Sequence, residues 1–189
     1  MDNPGWVHWE GVKHIFRYLA GMRNWALVYG MKVKGLEGFS DADGATQEHR
    51  HAITGYAFLI DGGAVSWSSK KQEIVMLSTA KSEYVAATHT AKEAIWLRRF
   101  IGEVFQPLTN LIPLHSDSQA TIRLTHNGSY HTHTKHIDIW YHFIQFVVNN
   151  GTINLIYCPT NDMVADTLTK ALPNIKAKHF AFVLGLQST

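Results

Sequence analysis

The feature that most constrains this chain is a hairpin. Residues 53–60 are rich in β-branched and aromatic side chains, they stop at Asp61-Gly62-Gly63, and residues 64–67 resume an extended apolar pattern. A turn of that composition supplies the positive φ angles that antiparallel strands need to reverse. Residues 36–41, just upstream, read as another strand ending in an acid, so the domain opens as a three-stranded antiparallel meander. The pattern then changes period. Ser78 or Thr79 can cap a long helix in which Ala94, Leu97, Ile101 and Val104 keep one face apolar. The small residues Ala86, Ala87 and Ala91 let that helix lie close on a sheet.

Downstream, residues 111–117 form a short strand, with Pro113 tolerable only near its start or at an edge. A short helix (118–124), a long helix (136–148) and a strand (152–157) come next. A helix capped by Pro159-Thr160 then runs to about 172, and a last helix covers 175–184. The order βββ-α-β-α-α-β-α-α predicts an α/β fold with a five-stranded mixed sheet flanked by helices. Ahead of it, residues 6–19 carry Val12, Ile15, Phe16 and Leu19 at helical spacing and stop at Gly21. Residues 25–29 are strand-like, and 30–35 read as a linker.

Composition narrows the classes. The chain has 189 residues, and 46% are apolar, enough for one cored domain or a domain plus a fragment. The net charge of +2 is too small to announce nucleic-acid binding by bulk charge. A single cysteine, Cys158, excludes an internal disulfide framework and a cysteine-rich zinc site. No apolar run approaches the roughly 20 residues of a membrane helix, and the first residues lack the features of a signal peptide. The expectation is a soluble, intracellular-type protein without a membrane partner.

Four acids fall at unusual places. Asp41 ends the first strand of the meander and Asp117 ends the fourth strand, and strand carboxyl ends are where open sheets bind ligands. Glu83 lies in the first turns of the long helix, and Asp166 lies in the helix after the fifth strand. If the first and fourth strands are neighbours, the four converge. Carboxylates so gathered demand cations, and hard oxygen ligands without His or Cys select Mg²⁺ or Mn²⁺. Two such ions about 4 Å apart make a phosphodiester-cleaving site.

At these residues the chain resembles the ribonuclease H domain of copia-type LTR retrotransposon polyproteins. The matching blocks are Gly38-Phe39-Ser40-Asp41-Ala42-Asp43, Thr54-Gly55-Tyr56 and Ala64-Val65-Ser66-Trp67-Ser68-Ser69-Lys70-Lys71-Gln72. They continue with Leu77-Ser78-Thr79, Glu83-Tyr84, the stretch from Ala91 to Arg99, and Ser116-Asp117-Ser118-Gln119-Ala120. The last are Thr134-Lys135-His136-Ile137-Asp138, Tyr141-His142-Phe143, Ala165-Asp166 and Thr169-Lys170. Trp9, Val12-Lys13, Ile15, Arg17-Tyr18-Leu19 and Leu27-Val28-Tyr29 resemble the tail that joins the reverse transcriptase to its ribonuclease H. The resemblance therefore divides the chain into a connection segment, 1–35, and a ribonuclease H domain, 36–189.

The resemblance implies a ribonuclease H-like fold and endonucleolytic, metal-dependent cleavage of the RNA strand in RNA–DNA hybrids during reverse transcription. It implies that Asp41, Glu83, Asp117 and Asp166 are the catalytic, metal-binding acids for two Mg²⁺ ions, with Mn²⁺ as a substitute. Asp41 would bridge both ions, Asp166 would hold the one that activates water, and Glu83 and Asp117 the one at the leaving 3′ oxygen. The partners implied are an RNA–DNA hybrid and the reverse transcriptase portion of the same polyprotein. The location implied is the cytoplasm, virus-like particles or the nucleus. A domesticated or catalytically weak nucleic-acid-binding module is the alternative. A related fold acting on another substrate, as in integrases and Holliday-junction resolvases, is disfavoured by the hairpin-rich start and the order of the blocks.

Binding residues are more open. Trp67, Lys70 and Lys71 suit either contacts to DNA-strand phosphates or a core tryptophan with solvated lysines. Ser78 and Thr79 suit a contact to the nucleic-acid backbone or a 2′-hydroxyl, or a helix cap alone. Asp43 reads as a turn acid and Asp162 as a solvated helix acid near Asp166. His131, His133, His136 and His142 lack a Cys or acid at a zinc-like spacing and read as no metal site, although His136 and His142 belong to the matching blocks. The chain departs from the family at Lys81, where an acid is common, and at Gly44, where Trp is common. The 158–162 loop, before the last acid, lacks the His that some cellular ribonucleases H use in product release, which bears on turnover.

Overall fold

The protein is described here by a computed structural model covering residues 3–30, 35–44, 51–73, 75, 78–126 and 135–189, with the side chains of 135–139 not described. Helix α1 (Trp6–Gly21) and strand β1 (Trp25–Leu27) lead into the main domain. There, β2 (Leu36–Asp43), β3 (Ile53–Ile60) and β4 (Gly63–Lys71) form the expected meander. Asp61 and Gly62 carry φ of 48° and 88°, and Ile60 pairs with Gly63. Two positive-φ residues in a two-residue loop make a type I′ turn, whose twist matches the strands it joins. β4 runs four residues beyond the expected Trp67 because its second half remains paired with β3 as far as Lys71.

Helix α2 (Thr79–Val104) follows, capped by the Ser78 side chain, which accepts from the Lys81 amide. Then come β5 (Ile112–Ser116), α3 (Gln119–His126), α4 (Lys135–Asn149) and β6 (Ile153–Tyr157). The sheet order is β4-β3-β2-β5-β6, with β5 parallel to both β2 and β6. The fold is thus the five-stranded mixed α/β sheet expected. Pro113 is tolerated in a central strand because pairing with β2 begins one residue later, at Leu114.

The two sheet faces are packed differently. On one, Ala87, Ala91, Ala94 and Leu97 of α2 meet Phe58, Ile112 and Leu114, joined by Ile144 and Val147 of α4. The alanines are fully buried, so the helix backbone itself sits close on the strands. On the other, Phe39, Ala57 and Leu59 meet Met163, Val164, Ala165 and Phe180.

That second face departs from expectation. The helix expected from Pro159-Thr160 to 172 is only α5 (Asp166–Thr169). Residues 159–165 wind instead through successive i→i+3 hydrogen bonds, Asp162 N–H to Pro159 and Met163 N–H to Thr160 among them. Met163, Val164 and Ala165 are all buried in the core of this face. Asp162 is therefore an exposed turn residue, not a helix acid. Helix α6 (Asn174–Val183) agrees with the reading, but β7 (Leu186–Ser188) was not foreseen. It pairs antiparallel with β1, Trp25 facing Ser188, which ties the N-terminal segment to the C-terminus. Among the described residues no helix is long and apolar enough to cross a membrane.

Candidate metal centre

Strand alternation decides which side Asp41 takes. Phe39, Asp41 and Asp43 share the face of β2 that looks toward α5, while Leu36, Gly38 and Ser40 look toward α2. The register places β5 beside β2 through the Ser40–Ser116 pair, so Asp117 emerges next to Asp41. The start of α2 brings Glu83 over the same spot, where the Ala42 backbone hydrogen-bonds to it. One oxygen each of Asp41, Glu83 and Asp117 lies within 4.8 Å of the others. Asp41 is buried, and Oε2 of Glu83 is a buried acceptor with no hydrogen-bond partner.

Asp166 stands beside Asp41 rather than within that trio. It is fully buried and held by two ammonium groups. Lys170 Nζ is 2.9 Å from its Oδ1, an ion contact, and 3.7 Å from Asp41 Oδ2. Lys176 Nζ donates to its Oδ2 at 3.0 Å. The Thr169 hydroxyl donates to Asp41 Oδ2, and the Thr160 hydroxyl to Asp117 Oδ2 at 2.9 Å.

Gly55 makes this closeness possible. It is the register partner of Asp41, and a Cβ there would lie 2.6 Å from Thr169 Cγ2 and 3.0 Å from Leu168 Cβ. Only a bare backbone lets α5 settle against β3 with Thr169 in reach of Asp41.

Crowding the acids perturbs them. Burial, reinforced by Asp166 and Asp117 and opposed by Thr169 and Lys170, raises the Asp41 pKa to about 6. Burial, together with the charges of Asp41 and Asp117, raises that of Glu83 to about 9. Burial works against the Lys170 charge, but Asp166 and Asp41 overcome it and raise its pKa. The thiol of Cys158, buried nearby, is pushed up to about 11, so it stays protonated. An all-oxygen set that disfavours its own ionisation, with one orphaned carboxylate oxygen, fits a divalent cation.

The other expected residues scatter. Trp67 is exposed rather than in the core, on the α5 side of β4. Lys70 lies three residues on, facing α2. There, Lys70 and Lys71 line a groove of about 520 Å³ with Tyr56, Lys92, Trp96 and Trp140. Ser78 caps α2, and Thr79 accepts through its carbonyl from the Ser82 hydroxyl. Asp43 ends β2 outside the convergent trio. His131 and His133 lie outside the described residues, as does the side chain of His136.

Sequence reasoning assigned no role to Thr160, Thr169, Lys170 or Lys176. Thr169 and Lys170 follow Asp166 by three and four residues, a spacing that shares a helix face and was readable. Lys176 had no local signal, because only the fold-back of α6 brings it to Asp166.

No family model matches the chain. The chain is 42% identical over 189 residues to the retrovirus-related Pol polyprotein from transposon TNT 1-94 of Nicotiana tabacum, covering 100% of this chain and 14% of the relative. It is 34% identical over 192 residues to that from transposon RE1 of Arabidopsis thaliana, covering 98% of this chain and 13% of the relative. It thus spans about a seventh of these relatives' length. Among solved structures, LC11-RNase H1 in complex with an RNA/DNA hybrid aligns with a TM-score of 0.53 at 15% identity, covering 71% of this chain and 93% of that one. Over its full length the chain is similar to part of the retrovirus-related Pol polyproteins of plant transposons, and its fold is that of ribonuclease H.

Proposed function

We propose that this chain is the nuclease part of such a polyprotein, an endoribonuclease that hydrolyses the RNA strand of RNA–DNA hybrids with two Mg²⁺ ions. The observation that carries this reading is the meeting of Asp41, Glu83 and Asp117 at the carboxyl ends of two adjacent parallel strands, with a carboxylate oxygen of Glu83 left unpartnered. Asp41, Glu83 and Asp117 would hold one ion, and Asp41 with Asp166 the other; Mn²⁺ fits the same donors. Bound ions would lower the pKa of the attacking water and offset charge developing on the phosphate. Asp41 then needs a fixed orientation, which the Thr169 hydroxyl supports. Thr160 does the same for Asp117.

Affinity for the hybrid would come from the lysines and aromatics of the α2–β4 groove, which begins at Lys70 and Lys71 near the start of α2. Ser78 and Thr79 are exposed at that start and available to the backbone. Trp67 would serve only if a strand also passes the opposite face. Helix α1 has no buried residue, and Trp6, Trp9, Ile15 and Phe16 are exposed. An amphipathic helix with its apolar residues exposed suits a partner, and residues 1–35 are proposed as the connection to the reverse transcriptase portion.

The test is cleavage by the purified chain of a hybrid, single-stranded RNA, duplex RNA and duplex DNA, with Mg²⁺ and Mn²⁺ titrated. Selective hybrid cleavage that stops in EDTA is expected. One observation favours a second reading, binding without cleavage: Asp166 already has both oxygens engaged by lysines. Hybrid retention in EDTA with no product in either metal would establish that reading instead.

A further inference from the structure

Lys176 reaches Asp166 from a different element than the acids do. It sits on α6, whose Phe180 is fully buried in the core of the second sheet face. Its Nζ lies 5.1 Å from the centre of the Phe180 ring and donates to the Thr160 carbonyl and to Asp166 Oδ2, each at 3.0 Å. The ammonium is therefore fixed by three contacts, one of which belongs to the strap carrying Thr160, the partner of Asp117. Lys170 is less constrained, since it lies between Asp166 and Asp41 and can serve either.

The consequence is an asymmetry among the carboxylates. Asp41, Glu83 and Asp117 present converging oxygens, and Glu83 Oε2 has no hydrogen-bond partner. The Lys170 contact to Asp41, at 3.7 Å, is longer than either lysine contact to Asp166, whose Oδ1 is held by the ion contact with Lys170 alone. Asp166 has both oxygens engaged, and releasing Oδ2 means displacing an ammonium that the α6 scaffold returns to the same place. We propose that Lys176 is a positioning residue that divides divalent-ion uptake into two unequal steps, a tight one at Asp41, Glu83 and Asp117 and a weaker one at Asp166. This rests on reading the centre as a metal centre. Lys176 acts through Asp166, as a resident cation that competes with the second ion and keeps the carboxylate in place until that ion arrives.

The experiment is calorimetric titration of the full chain with Mg²⁺, and separately Mn²⁺, without nucleic acid. Lys176→Met keeps the length and apolar stem over Phe180, and Lys176→Arg keeps the charge. Wild-type protein should show two steps. Lys176→Met should tighten the weaker one about five- to tenfold, the low end of coupling between two sites, and leave the tighter one within about twofold. Lys176→Arg should retain the wild-type pattern. If Lys176→Met does not fold, Lys176→Gln carries the same expectation, with folding checked by circular dichroism. A weaker step that is unchanged or weakened, or equal tightening of both steps, overturns the proposal while sparing the metal-centre reading. Uptake that is absent in wild type, or insensitive to Asp41→Asn, overturns the metal-centre reading itself.

Discussion

The two faces of the central sheet are packed to different ends, the larger apolar core lying on the α2 side. On the α2 side, small residues bring a 26-residue helix onto the strands, and long aliphatic and aromatic side chains fill the space around it. The side chains buried there are mostly apolar, and the lysines and aromatics of the α2–β4 groove lie at its margin. On the α5 side, the core of Phe39, Leu59, Met163 and Phe180 surrounds Asp41 and Asp166, two acids with almost no exposure. That face gives up stability for a set of like charges, and its short helix and turns are shaped to hold them. Packing can serve either purpose, and what separates the two faces is whether charge is buried with it.

The sharpest way to break the comparison is chemical. Asp41→Asn or Asp117→Asn should reduce Mg²⁺-dependent hybrid cleavage by at least about 10³-fold, with circular dichroism and melting preserved or improved. Activity retained by either purified variant would remove the α5 face from catalysis.

Next in size is a pH effect. Asp41 has a folded pKa of about 6 against an ordinary 3.8, so the native state holds its proton more tightly than the unfolded chain does. In metal-free protein, stability should fall as pH rises from about 4 to 6, by about 3 kcal/mol from this group. Glu83, raised to about 9, continues the fall toward alkaline pH. Denaturant titrations at pH 4.5 and 8 measure it. Asp41→Asn should lessen the slope of the acid part of the curve, to which Glu83 also contributes above about pH 4.5, and Mg²⁺ should restore stability at pH 8. A metal-free protein more stable at pH 8 would contradict the burial of charge.

A pair of glycines separates the faces directly. A Cβ on Gly38 would lie 2.5 Å from the Phe58 ring and 2.9 Å from Leu114, on the α2 side. One on Gly55 would push on Thr169, Leu168 and the Ala165 carbonyl, on the α5 side. Each alanine variant should cost about 1–3 kcal/mol by overpacking. Gly38→Ala should keep its activity per folded molecule, whereas Gly55→Ala should lose about 10²-fold by displacing Thr169 from Asp41. Equal activity loss in both would mean that the sheet transmits strain across its faces.

The smallest effect belongs to α1. Trp9→Ala should change the stability of this chain by less than about 0.5 kcal/mol, because Trp9 is half-exposed. A drop of 2 kcal/mol in thermal or denaturant unfolding would show that α1 is held by this domain.

Legibility followed the range of the interactions. The hairpin, α2 and the succession of strands along the chain announced themselves through turn chemistry and periodicity, which act over a few residues. Asp41 and Asp117 were visible because they lie near strand carboxyl ends, although β2 runs two residues past Asp41, and both Asp41 and Asp166 are buried. Residues 159–165 misled because a run of turns and a helix share i→i+3 neighbours, and the local pattern does not separate the two. Trp67 and Lys70 looked like one basic-aromatic patch in sequence, yet strand alternation sends them to opposite faces.

What the sequence determined by itself was the meander, the long helix α2 and the strands that follow it, because helix and strand periods and turn preferences are local properties of the chain. What only the tertiary structure decided was which acid keeps open oxygens and which is held by lysines, and that β1 is stitched to β7. The pairing of β1 with β7 and the contact of Thr169 with Asp41 span more than a hundred residues, and Lys176 reaches Asp166 only through the fold-back of α6, so no local pattern encodes the distance between groups that meet only after the chain has folded.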